Sequence, residues 1–190
     1  KESVNAVGGQ LYVANSTTLT GSLNISASAA TMSVVNVTGF TEEYDKYIVS
    51  LKNIETSSAT YIHARVIDFA DRAINNGEYD YSTGYAPSSG SAWSFEGGTD
   101  KVEWESLGFQ GAGSDYHGSI TMQVFNPASP TSYTSYTSQC VGFRNSNIIY
   151  GWNSVGNFEA LDPIKGLMFF PRAGTIDNAI IHIYGIRTGS

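Results

Sequence analysis

Chemistry in this chain has to come from few side chains: three histidines, one cysteine and a short run of clustered acids. His63, His117 and His182 stand far apart, and none has a second His or a Cys at the spacing a tetrahedral metal site uses. Two of them fall inside strand-like runs, where a histidine is ordinarily a hydrogen-bonded member of a packed face. Asp68, Asp71, Glu78 and Asp80 crowd one stretch, and a hard cation such as calcium takes several oxygens from such a loop. The EF-hand pattern is missing, so solvated loop acids are the expectation. Gly108, Gly111 and Gly113 imitate a phosphate loop, but no Gly-Lys-Ser/Thr follows and the next segment reads as a strand, not a helix. No Gly-x-Ser-x-Gly elbow occurs. The sequence is therefore read as having no catalytic residue, no metal site and no cofactor, and as not being an enzyme. A polysaccharide hydrolase, whose two carboxylates would meet only in the fold, is the catalytic alternative.

Aromatic rings are the other candidates. Tyr79, Tyr81, Tyr85 and Trp93, with Phe95 and Trp104 close behind, concentrate in and just after residues 70–98, a stretch rich in Asn, Gly, Ser, Tyr and Pro. Flat rings among polar neighbours suit sugar faces, protein interfaces or plain core packing. Tyr79, Tyr81, Tyr85 and Trp93 are the candidate residues for binding a ligand or partner. The stretch itself is read as a long surface excursion, with Pro87-Ser-Ser-Gly90 as its turn. A second excursion is expected over 110–117.

The elements that must position these residues are strands. Apolar residues alternate with polar ones or form short β-branched runs, with turn residues between them at intervals of roughly 8–15 residues. Strands are expected over 10–14, 23–26, 31–37, 47–54, 61–69, 93–96, 101–107, 118–125, 132–143, 148–152, 164–170 and 179–186. In the clearest cases the faces separate: Tyr47, Val49 and Leu51 oppose Ile48, Ser50 and Lys52, and Ile120, Met122 and Val124 oppose Ser119, Thr121 and Gln123. The last strand is apolar on both faces, with Ile181 and Ile183 on one and Ile180, His182, Tyr184 and Ile186 on the other. Such a strand reads as interior to a sandwich or as one side of a subunit contact. The fold class is thus all-β, an antiparallel β-sandwich, with an N-terminal arm or assembly segment over 1–30 and the sandwich domain over 31–190.

Composition narrows the partners. Charged residues are 14% of the 190, well below the usual quarter or so, and the net charge of -7 argues against nucleic acid, which needs clustered Lys and Arg. No run approaches the roughly 18 apolar residues of a membrane span, so no membrane insertion is expected. Cys140 has no second cysteine to pair with, leaving stability to packing or assembly.

Three segments carry a resemblance: Phe40-Thr-Glu-Glu-Tyr-Asp-Lys-Tyr-Ile-Val-Ser50, Gly118-Ser-Ile-Thr-Met-Gln-Val-Phe-Asn-Pro127 and the stretch 174–186. Together they resemble a recurring domain in structural proteins of tailed bacteriophages, particularly marine and cyanobacterial phages. The resemblance spans residues 30–189 and implies a jelly-roll-like sandwich in a virion protein, with no catalytic residue. The chain departs from that domain at Asp68-Phe-Ala-Asp-Arg-Ala-Ile-Asn-Asn-Gly77, where a Ser/Gly-rich stretch is usual. The function implied is a virion tail fibre, knob or appendage component. Its expected partners are other virion proteins, copies of itself in a homo-oligomer (a trimer favoured), and a host surface glycan or protein. Two alternatives stand beside it: a capsid decoration protein, and, from another class, a secreted carbohydrate-binding module.

Overall fold

The computed structural model describes residues 34–186 apart from 91, 114, 146 and 147, together with the backbone of three strands nearer the N-terminus; at 109, 144 and 145 the backbone alone is described. The described elements are all strands. In chain order they are β1 (Asn5–Val7), β2 (Gln10–Tyr12), β3 (Gly21–Ser26), β4 (Val35–Thr38) and β5 (Lys46–Thr56). Next come β6 (Thr60–Asp68), β7 (Tyr79–Pro87), β8 (Ser94–Lys101), β9 (Trp104–Gln110) and β10 (Gly118–Phe125). The last four are β11 (Thr134–Asn145), β12 (Ile148–Phe158), β13 (Ile164–Pro171) and β14 (Ile176–Ile186). They make an antiparallel β-sandwich of two packed sheets. The smaller runs β1-β2-β4-β13-β6-β9 and the larger β3-β14-β5-β10-β11-β12-β7-β8, with β2 parallel to β4. Strands from the expected arm, 1–30, therefore pair within the chain: β1 and β2 extend the small sheet, and β3 extends the large one along β14.

Two-residue alternation builds the core. Tyr47, Val49 and Leu51 of β5, Ile120, Met122 and Val124 of β10, and Ile181 and Ile183 of β14 point inward from the large sheet. Val35, Val37, Ile62, Ala64, Val66, Leu167 and Phe169 meet them from the small one in a single buried cluster. Each fully buried aliphatic side chain of this kind contributes roughly 1.5–3 kcal/mol. The closing strand thus turns Ile181 and Ile183 to the core and leaves Ile180, His182 and Tyr184 on the outer surface.

The stretch 70–98 is not the surface excursion expected from its composition. Its second half is β7 and the start of β8, paired in register with each other and, through β7, with β12. The reason is alternation hidden in polar company: Tyr79, Tyr81 and Thr83 point inward and are buried, while Asp80, Ser82 and Gly84 point out.

β9 is bent where the sheets meet. Between the paired positions Ile62↔Gly108 and Ala64↔Trp104 it carries more residues than β6 does, and Ser106 sits there with a left-handed φ of 55°. The bulge turns the Ser106 carbonyl toward the large sheet, where the Thr83 and Ser154 hydroxyls approach it at 3.4 and 3.5 Å. Beside it, Gly108 lies so close to β11 that a Cβ there would stand 2.2 Å from Cys140 Sγ.

Candidate functional site

The three segments behind the phage resemblance become neighbours in space, because β14, β5 and β10 are adjacent in the large sheet. Phe40, Tyr44 and Tyr47 form a buried aromatic plug ahead of β5, with ring centroids 4.4 Å apart for Phe40–Tyr47 and 5.6 Å for Tyr44–Tyr47. The Thr41 N–H donates to the Tyr47 hydroxyl oxygen at 2.8 Å. Burial raises the Tyr47 pKa, against the lowering effect of Thr41. The Tyr44 ring rests on Gly185, where a Cβ would stand 2.6 Å from Tyr44 Cγ. Asn126, left-handed at φ 53°, closes the third side by donating its N–H to the Asp45 carbonyl at 2.8 Å. These motif residues are therefore a packing unit, and their side chains are spent on one another.

The four aromatic candidates divide. Tyr79 is 0% exposed; its hydroxyl donates to the Ile74 carbonyl at 2.7 Å and accepts the Val66 N–H at 3.0 Å. Tyr81 is 8% exposed and donates to Glu105 Oε2 at 3.2 Å, and its pKa is raised by burial first and by the Glu105 charge next. Both are core residues, out of reach of a ligand. Tyr85 is half-buried and stacks on Trp152 at 5.4 Å, which in turn stacks on Tyr150 at 4.9 Å, all on the inner side of the sheet. Trp93 alone of the four stands well out, 55% exposed, with its ring 6.4 Å from that of Phe95, which is 77% exposed. The two rings lie over the bare backbone of Gly84, whose missing Cβ would come within 3.0 Å of Phe95.

Trp93 and Phe95 stand at one side of a larger surface, the outer face of the eight-stranded sheet. Following the register across it, one row reads His182, Ser50, Thr121, Gln139, Asn153, Gly84 and Phe95. The next reads Tyr184, Ile48, Gln123, Thr137, Val155, Ser82 and Gly97. Neither row holds a Lys, Arg, Asp or Glu. Trp93, Phe95, Val141, Ile149, Val155 and Tyr184 on this face are six of the eleven large apolar side chains exposed among the described residues. Sequence reading missed the face, although its signal was present: no charged residue occurs in 81–95, 118–143 or 145–158. These separated stretches become one surface only through strand pairing.

On this face charge stands outside the two rows, at Lys46, Lys52 and Asp80, and Lys46 donates to Gln123 Oε1 at 3.4 Å; the ion pairs lie elsewhere. His63 Nδ1 lies 2.7 Å from Glu103 Oε1, and Arg65 donates to Glu103 Oε2 at 2.5 Å while its guanidinium covers Phe170. His117 meets Glu55 at 3.3 Å. Of the four clustered acids, Asp68 and Glu78 line a cleft of about 400 Å³ together with Arg72, Phe158 and Asp162. Asp68 is occupied there by the Ala70 and Arg72 N–H groups and the Arg72 side chain; burial pushes its pKa up, but these partners outweigh it and the net shift is downward. Asp71 pairs with Lys165, and Asp80 accepts the Asp100 N–H at 3.1 Å. No group of three His, Cys, Asp or Glu among the described residues has the arrangement to hold a metal ion. No family model, no curated protein and no solved structure matches this chain.

Proposed function

We propose that this chain is a structural component of a tailed-phage virion, a fibre, knob or appendage part that works through the outer face of its eight-stranded sheet. One observation carries the reading: two adjacent rows of that face cross seven of its eight strands without a charged side chain, Lys46, Lys52 and Asp80 lying outside them, and the face gathers six of the eleven large apolar side chains exposed among the described residues, in a chain of net charge -7. Depletion of charge is what distinguishes the core of an assembly interface from ordinary surface. The resemblance of the β5, β10 and β14 segments to phage structural domains supplies the setting, with other virion proteins and copies of this chain as partners after synthesis in the host cytoplasm. Antibody raised against the purified chain is expected to label phage particles. Label at the tail fits a fibre or appendage, and label on the capsid faces fits a decoration protein. Antigen found only free in the culture medium, with unlabelled particles, contradicts the virion reading and favours a secreted binding module.

A second reading rests on Trp93 and Phe95. Two stacked, exposed rings beside Ser82 and Asn153 offer a neutral sugar an apolar platform with hydrogen-bonding neighbours. Trp93→Ala is expected to abolish binding on a glycan array and to lower host adsorption. Unchanged signal in both assays removes the adhesive role.

A further inference from the structure

We infer that the outer face of the eight-stranded sheet is a self-association surface on which a second copy of this chain docks back to back, about a two-fold axis. The inference rests on the reading above that this face is the working surface, and adds its occupant.

Three observations select a second copy. The first is charge: each chain carries -7, so copies repel through most of their surfaces, while the rows through Thr121, Gln139 and Asn153 and through Thr137 and Val155 bring no like charges together. The second is self-complementarity. A two-fold contact sets the same patch on both partners, which favours residues that tolerate their own kind, and threonine, glutamine, asparagine and valine do so by reciprocal hydrogen bonding or apolar contact. The third is area. Five strands, β10, β11, β12, β7 and β8, spaced about 4.8 Å apart and about 8 residues long at roughly 3.3 Å each, give a face of about 600 Å². Two such faces bury about 1,200 Å², the lower end of a stable specific interface. A glycan on Trp93 and Phe95 would occupy only one side of this surface. Nor is pairing through the free edge of β8 equivalent, because Glu96, Asp100 and Lys101 stand on that strand and would make it salt-sensitive.

The test is the mass of the full chain in solution, by light scattering and sedimentation from about 1 to 100 μM. The wild type is expected as a pair of twice 20.4 kDa, with little response to ionic strength. Val141→Glu/Val155→Glu sets four carboxylates into the shared face and is expected to weaken pairing at least 100-fold, with unchanged circular dichroism because both positions are about half exposed. Leu161→Glu, equally exposed but in the connection between β12 and β13 and outside the strands of this face, is expected to pair as the wild type does. A wild-type monomer at 100 μM, a trimer, a pair untouched by the double substitution, or one equally disrupted by Leu161→Glu would each overturn the inference. A monomer from a chain whose antibody still labels particles removes the self-association and leaves the virion reading standing.

Discussion

Gly185→Ala adds a methyl group where the structure has no room for one. The new carbon would stand 2.6 Å from Tyr44 Cγ and 2.8 Å from each Cδ, whereas carbon atoms pack best at about 3.5–4.0 Å. The ring has to withdraw by about 1 Å, yet Tyr44 is 4% exposed and braced edge-on against Tyr47. Overpacking of this kind costs about 1–3 kcal/mol, offset by about 0.5–1 kcal/mol because alanine orders more easily than glycine in a strand. The net loss should be about 1–2 kcal/mol, or roughly 2–8 °C in Tm for a chain of this length. Urea unfolding followed by tryptophan fluorescence measures it directly. In a Tyr44→Leu background the flat ring is gone, and Gly185→Ala should then cost less than about 0.5 kcal/mol. If it costs as much there as in the wild type, or stabilises the wild type, then the Tyr-Gly-Ile ending does not seat the Phe40, Tyr44 and Tyr47 plug.

Other consequences concern the buried polar groups. Burial holds the Tyr79 and Tyr136 hydroxyls above their ordinary value of 10.0, so above that pH the folded chain keeps protons the unfolded chain has lost. Their contribution is complete below pH 10 and declines as pH rises, by about 1.4 kcal/mol per pH unit for each group. Tyr136→Phe should make that decline shallower in urea titrations, and an unchanged slope would contradict the assignment. Because the Tyr136 hydroxyl is buried with no hydrogen-bond partner among the described residues, the same substitution should cost little at pH 7. Tyr79→Phe should cost about 1–3 kcal/mol, since it strands the Val66 N–H and the Ile74 carbonyl; a loss under 0.5 kcal/mol would mean those groups find other partners. Glu103→Gln removes the charge shared by His63 and Arg65 and should cost about 1.5–3 kcal/mol, nearly the same in 0.1 and 1 M salt. A loss that vanishes at high salt would put the cluster in open solvent.

Strands whose outward positions are plainly polar or charged were legible from the residues. β10 occupies the expected 118–125, and β5 and β6 depart from expectation by one or two residues at their ends. β7 was hidden because Gly84 and Pro87 signal turns, and because its inward residues are three tyrosines and a threonine instead of aliphatics. The same tyrosines invited a binding role that only burial could withdraw. Trp93 was marked as a candidate ring; its partnership with Phe95 over Gly84 depends on the β7–β8 register, which no local pattern encodes. The pair of uncharged rows on the outer face was the least legible feature, since it is assembled from stretches far apart in the chain. The cleft acids show the converse: Asp68 and Glu78 were grouped by proximity in sequence, but Asp162, which joins them, comes from the turn before β13.

The central claim is that the outer face between β10 and β8 is where this protein is used. It is tested most directly by replacing the resident chain with the Val155→Glu variant in assembling particles and measuring the amount incorporated by quantitative mass spectrometry. Val155 is 52% exposed, so the variant should fold and accumulate as the wild type does, yet be depleted at least tenfold from purified particles. Incorporation at the wild-type level, with unchanged particle stability and host adsorption, would contradict the account.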